Sequence, residues 1–120
     1  MALTIYERAG GFATVRRVVS AFYEKALESD LIAHHFEQIE MPKLIDHQTR
    51  FISFLMGGPA SYTDEHIKHV HARLGITLAE FDEMVELLTE TLEDFEFGSD
   101  DIARVGGELR KREPVIVTAR

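Results

Sequence analysis

The segment His66-Ile67-Lys68-His69-Val70-His71 holds three of the chain's six histidines within six residues. Imidazole is the common transition-metal ligand among side chains and the one that titrates near neutral pH. Thr63 is a good helix N-cap in front of this segment, Asp64 and Glu65 suit a first turn, and Gly75 suits a C′ position. In a helix, Ile67, Val70, His71 and Leu74 share one face at i, i+3, i+4, i+7. His69 then points to the opposite side and His66 lies on the flank. One histidine, His71, is therefore sent toward an apolar interior while its neighbours face water.

A lone core histidine ordinarily bonds a ring N–H to a carbonyl, and that is the default explanation here. A second segment competes with it. In Met41-Pro42-Lys43-Leu44-Ile45-Asp46-His47-Gln48-Thr49-Arg50-Phe51, polar side chains stand beside an apolar stripe. With Leu44 as reference, Gln48, Phe51 and Leu55 lie within about 40° of it around a helix, and His47 lies on one shoulder. A glutamine in the centre of an apolar stripe is costly unless it is hydrogen-bonded. Tyr23 or a bound ligand would supply that partner. Two helices, each offering a histidine toward an apolar slot, meet the requirement of a haem pocket.

These side chains need helices to carry them. Thr4 can cap a short helix over Ile5 to Ala9 that stops at Gly10-Gly11. A longer helix follows from Phe12 to Glu28, with Val15, Val18, Val19, Phe22, Ala26 and Leu27 in a 3.6-residue period. Tyr23 borders that stripe, so its ring reaches the interior while its hydroxyl needs a partner. Leu31 to Phe36 reads as one tight helical turn that delivers Phe36 to the core. Pro42 suits the first turn of the next helix, which ends at Gly57-Gly58-Pro59.

Thr77-Leu78-Ala79-Glu80 matches a capping box. The helix it starts carries Phe81, Met84, Val85, Leu88, Leu92 and Phe95 on one side and acids on the other, which reads as core packing with a solvated face. A last helix presents Ile102, Val105 and Leu109, and Pro114 kinks or ends it. The only strand-like alternation is the short Val115-Ile116-Val117. An all-α chain of one domain, residues 1–120, is the expectation.

At 120 residues the chain can bury about two-thirds of its unfolded surface around one core. Trp is absent, so the eight Phe carry much of the packing. A formal net charge of −8 argues against a general nucleic-acid surface, and the cluster Arg110-Lys111-Arg112 reads as a solvated helix end. With no cysteine, disulfides, iron–sulfur clusters, Cys-ligated zinc and c-type haem attachment are all excluded. The N-terminus has no signal-peptide pattern and no run approaches 18 apolar residues, so a cytoplasmic protein without membrane contact is expected.

Taken together, Gly10-Gly11, Phe22-Tyr23, Phe36, Met41-Pro42-Lys43, His47-Gln48, Phe51, Gly57-Gly58 and His71 are similar in type and spacing to the group I truncated haemoglobins. The likeness covers nearly the whole chain and is nearest in pattern to the cyanobacterial-type members. It implies a two-over-two helical sandwich around non-covalent haem b. It implies His71 as the proximal iron ligand, and Tyr23 and Gln48 as the distal pair that hydrogen-bonds bound oxygen. Leu44 takes the pocket's gate position, Phe36 the place of the phenylalanine packed on the haem face, and Phe51 a place on the distal wall. Lys68 and His66 are weaker candidates for the haem propionates. His47 resembles the histidine that can itself bind the iron on the distal side. Cyanobacterial members can also link haem covalently through a histidine of the final helix. Here no histidine follows His71, which excludes that route.

The expected function is reversible binding of O₂, and also of CO and NO, at a His-ligated iron. Tight oxygen binding with slow release suits NO dioxygenation, oxygen sensing or redox chemistry better than bulk transport. NO dioxygenation would need an external reductase as partner. Two alternatives dispense with haem. A helical zinc protein built on His66, His69 and His71 is opposed by helix geometry, which sets His69 and His71 about 200° apart. A helical protein-interaction module leaves the convergence of Tyr23, Gln48 and His47 without a reason.

Overall fold

Thr4 opens the fold with a capping box. Its hydroxyl accepts the Glu7 N–H at 3.0 Å, and the Glu7 carboxylate accepts the Thr4 N–H at 3.0 Å. The computed structural model describes residues 3–119, and this box starts helix α1, Ile5–Ala9. Gly10 ends it at φ 111°, where a Cβ would stand 2.7 Å from the Thr14 hydroxyl. Only glycine takes that turn without strain. The chain then enters α2, Phe12–Glu28.

A 3₁₀ turn over Ala33–Phe36 realises the expected tight turn and leads to α3, Met41–Leu55, with Pro42 in its first turn. Helix α4 spans Asp64–His71 and is shorter than its apolar pattern suggests. Ala72–Leu74 continue only as a turn, and Gly75 takes a left-handed φ of 63°, as expected of a C′ residue. The second capping box forms at Thr77 and Glu80 and starts α5, Leu78–Asp94. Helix α6 covers Ser99–Lys111.

The chain end departs from expectation. Val115-Ile116-Val117 does not extend as a strand. Glu113–Ile116 form α7, a single turn whose first residues include Pro114. Proline with no N–H to place is well suited there, so it starts a turn as well as ending the one before. Beyond it, Thr118 and Ala119 donate their N–H groups to the Ile76 carbonyl at 2.9 and 3.0 Å. This ties the chain end to the loop after α4, and α4 packs on α7.

Helix α2 packs on α3 and on α5, α5 packs on α6, and α6 returns to α3. Two helix pairs thus lie one over the other, the two-over-two sandwich. Val15, Val18 and Val19 of α2 meet Ile52 and Leu55 of α3, Phe81, Leu88 and Leu92 of α5, and Val105 of α6 in one buried core. Each such side chain stabilises the fold by about 1.5–3 kcal/mol when fully buried. Thr49 and Thr91 sit inside this core by donating their hydroxyls to the Ile45 and Leu87 carbonyls one turn back. Among the described residues no helix is long and apolar enough to cross a membrane.

Candidate haem site

The sandwich leaves a slot between α2, α3, α4 and α5. Its inner part is a cavity of about 90 Å³ walled by Phe22, Tyr23, Ile52, Phe81, Met84 and Leu88, among others. An outer part of about 340 Å³ is bordered by Leu44, His47, Tyr62, His66, Val70 and Leu74. Gln48, Phe51 and His71 border both parts, so the two meet at those side chains. The outer part alone reaches the size of a small-molecule pocket, and the inner part deepens it.

His71 is half-buried at the end of α4. Its Nδ1 lies 2.7 Å from the Ile67 carbonyl oxygen. A carbonyl can only accept, so Nδ1 carries the proton and Nε2 keeps its lone pair free. Burial pushes the His71 imidazole below its ordinary pKa, and the bond to Ile67 only partly opposes this. The ring is therefore neutral at pH 7, the form that ligates a metal.

Tyr23 is buried, and its ring is wedged edge-to-face between Phe22 at 4.9 Å and Phe36 at 5.4 Å. Among the described residues its hydroxyl has no hydrogen-bond partner. Burial raises its pKa well above the ordinary tyrosine value, so it remains a neutral donor. Gln48 is half-buried and makes no hydrogen bond to Tyr23 among the described residues. Of the two partners expected for Gln48, Tyr23 or a bound ligand, Tyr23 is not bonded to it. Instead, both border the inner cavity with hydrogen-bonding capacity to spare.

The remaining expected residues sort by depth. Leu44 and Phe51 are half-buried and line the slot. His47 is exposed and borders only the outer part. His66 is exposed at the same rim, its ring 5.8 Å from that of Tyr62. Phe36 lines neither part and reaches the site through its contact with Tyr23. Lys68 is exposed and lines neither part. Among the described residues His66, His69 and His71 do not converge into a metal-ligating group, which removes the geometric basis for zinc there.

Val70 and Leu74 share the His71 face, yet are 49% and 48% exposed. They border the outer cavity, so the apolar face of α4 is uncovered where the slot opens. Sequence reasoning missed Tyr62, which meets the rings of Phe51 and Phe54 at 5.7 Å each. Tyr62 lies in the loop before α4, where no periodicity marks a residue as inward-facing.

An apolar slot with an uncovered face, a neutral imidazole with one free nitrogen, and two unpaired donors fit a flat apolar iron cofactor that takes a small polar ligand. Fold and slot together are those of a small globin. The bacterial-like globin family model matches residues 4–112. The group 1 truncated hemoglobin GlbN of Synechocystis sp. is 33% identical over 118 residues, covering 92% of this chain and 95% of its own. The group 1 truncated hemoglobin of Tetrahymena thermophila is 32% identical over 108 residues, covering 90% of this chain and 86% of its own. Two solved structures superpose with a TM-score of 0.87 at 26% identity, each covering 96% of this chain and 98% of its own. They are the truncated hemoglobin of Tetrahymena pyriformis in its Fe(III) form and the 2/2 hemoglobin of Synechococcus sp. PCC 7002, in the cyanomet state with covalently attached heme.

The chain belongs to the bacterial-like globin family, among its group 1 truncated haemoglobins. Its cofactor is haem b, held without a covalent bond as is typical of the family, and its general function is haem-based binding of diatomic gases.

Proposed function

We propose that this globin binds O₂ reversibly and releases it slowly, with His71 holding the iron and Tyr23 and Gln48 stabilising the ligand. One observation carries this reading. Two hydrogen-bonding side chains without partners among the described residues border the same cavity as the Nε2 of His71. Haem, when bound, would supply an iron centre able to take a diatomic gas. Oxygen gains partial negative charge there and CO gains much less, so donors set around it favour oxygen. The Tyr23 hydroxyl is held in place by Phe22 and Phe36 and pays little reorganisation to donate. Phe51, Ile52 and Phe81 keep the surroundings apolar, which strengthens each such hydrogen bond.

In the same reading Leu44 gates the outer cavity and Val70 and Leu74 are covered by the cofactor. Phe36 acts by holding Tyr23, and His66 and Lys68 stand toward the propionates at the rim. His47 serves as the internal distal ligand of the gas-free protein, reached by a shift of α3 toward the slot. Slow oxygen release suits NO dioxygenation supported by an external reductase, oxygen sensing or redox chemistry rather than bulk transport.

Absorption spectroscopy and stopped-flow mixing test the proposal. The expected result is a Soret band that shifts with CO, together with oxygen release at least about tenfold slower than in a variant lacking the Tyr23 hydroxyl. Oxygen release as fast in the parent as in that variant would overturn it.

A further inference from the structure

We propose that His34, His35 and Glu80 form a divalent transition-metal site of the zinc class, which joins the 3₁₀ turn after α2 to the head of α5. The Glu80 Oε2 atom lies 3.0 Å from the His35 Nε2 and 3.2 Å from the His34 Nε2. One ligand atom from each residue falls within 4.8 Å of the others. The two imidazoles lie side by side, centroids 4.1 Å apart. Zinc holds histidine nitrogen and carboxylate oxygen at roughly 2.0–2.2 Å, so neighbouring corners of its tetrahedron are about 3.3–3.5 Å apart. The two oxygen–nitrogen separations need only a few tenths of an ångström of adjustment, and the two histidine nitrogens lie within 4.8 Å of each other. Two histidines and a glutamate leave a fourth corner to water, a recognised zinc arrangement.

The carboxylate is set in advance. Glu80 is 6% exposed, and its Oε1 accepts the Thr77 N–H at 2.9 Å while its own N–H donates to the Thr77 hydroxyl. The capping box thus fixes one oxygen and leaves the other to the histidines, as outer partners do for metal ligands. A buried carboxylate also calls for a positive partner. The His35 side chain is 14% exposed and that of His34 is 55% exposed, so the site opens to solvent on one side and an ion can enter. None of the three residues lines the haem slot. An ion here would clamp the turn carrying Phe36, which contacts Tyr23, to the helix whose Phe81 walls the inner cavity.

Calorimetric titration of the haem-loaded protein with Zn²⁺ in a weakly coordinating buffer tests the site. The expected result is one saturable Zn²⁺ per chain, an unfolding temperature that rises with Zn²⁺ concentration, and an unchanged Soret band. His34→Ala and His35→Ala should each weaken binding by more than the roughly 10–100-fold that losing an outer partner costs. Glu80→Gln keeps a capping box and so keeps the fold and the haem spectrum, but should lose affinity to a similar degree. His69→Ala should leave it unchanged. Absence of saturable binding, or binding equally tight in the His34→Ala/His35→Ala double variant or in Glu80→Gln, would overturn the assignment.

Discussion

The His71 Nδ1–H donates to the Ile67 carbonyl at 2.7 Å, one turn back in the same helix. The helix that positions the imidazole therefore also chooses its tautomer, because a ring nitrogen pointed at a carbonyl must carry the proton. Ile67 is buried while His71 is half-buried, so the anchor lies deeper than the imidazole. An imidazole held this way would bind a metal with little loss of rotamer freedom.

From this follows the first expectation, on haem ligation. His71→Ala should lose the native ferrous spectrum and regain it when imidazole is added to the solution. A variant whose ferric and ferrous spectra match the parent's would show that another residue holds the iron.

Tyr23→Phe separates hydrogen bonding from packing. Loss of one charge-assisted hydrogen bond costs about 1.5–3 kcal/mol, or roughly ten- to a hundred-fold in oxygen release, with CO release changing far less. Because the hydroxyl has no protein partner among the described residues, the gas-free variant should unfold at a denaturant midpoint no lower than the parent's. Equal acceleration for both gases would mean that Tyr23 is a packing residue only.

His47 stands exposed at the outer cavity, and its role as a distal ligand needs α3 to move. If it binds, incoming gas must wait for it to leave, and apparent affinity falls with the open fraction. His47→Ala should then turn the ferric spectrum from low-spin to high-spin and speed CO association on rapid mixing. A parent protein already high-spin at neutral pH, with CO association unaltered in the variant, would count against ligation. The roles of His71, Tyr23 and Gln48 do not depend on it.

Gly58 tests how the fold closes below α3. A Cβ there would stand 2.9 Å from the Ser53 carbonyl and 2.9 Å from the Tyr6 ring. Gly58→Ala should cost about 1–3 kcal/mol, as overpacking does, read as a lower urea midpoint with an unchanged slope. A midpoint equal to the parent's would show that Tyr6 gives way freely.

Local chemistry in the chain determines the helices and the face that His71 takes. Thr4 with Glu7 and Thr77 with Glu80 mark two helix starts because caps act over three residues. The Gly10-Gly11 corner ends one helix because it requires positive φ at both residues. The 3.6-residue period sends Ile67 and His71 to one side of α4 for the same short-range reason.

Only the tertiary structure decided what lies across from those faces. Val70 and Leu74 belong by period to the inward stripe that starts in α4, yet both are about half exposed and border the open slot. Tyr23 and Gln48 come to one cavity without bonding each other, because their separation depends on how α2 and α3 cross. Glu80 is read from the sequence only as a capping-box residue at the start of α5, but a turn 45 residues earlier in the chain covers it and brings two histidines to its carboxylate. Period and caps act within a turn or two of chain, whereas burial is set by whichever distant element arrives.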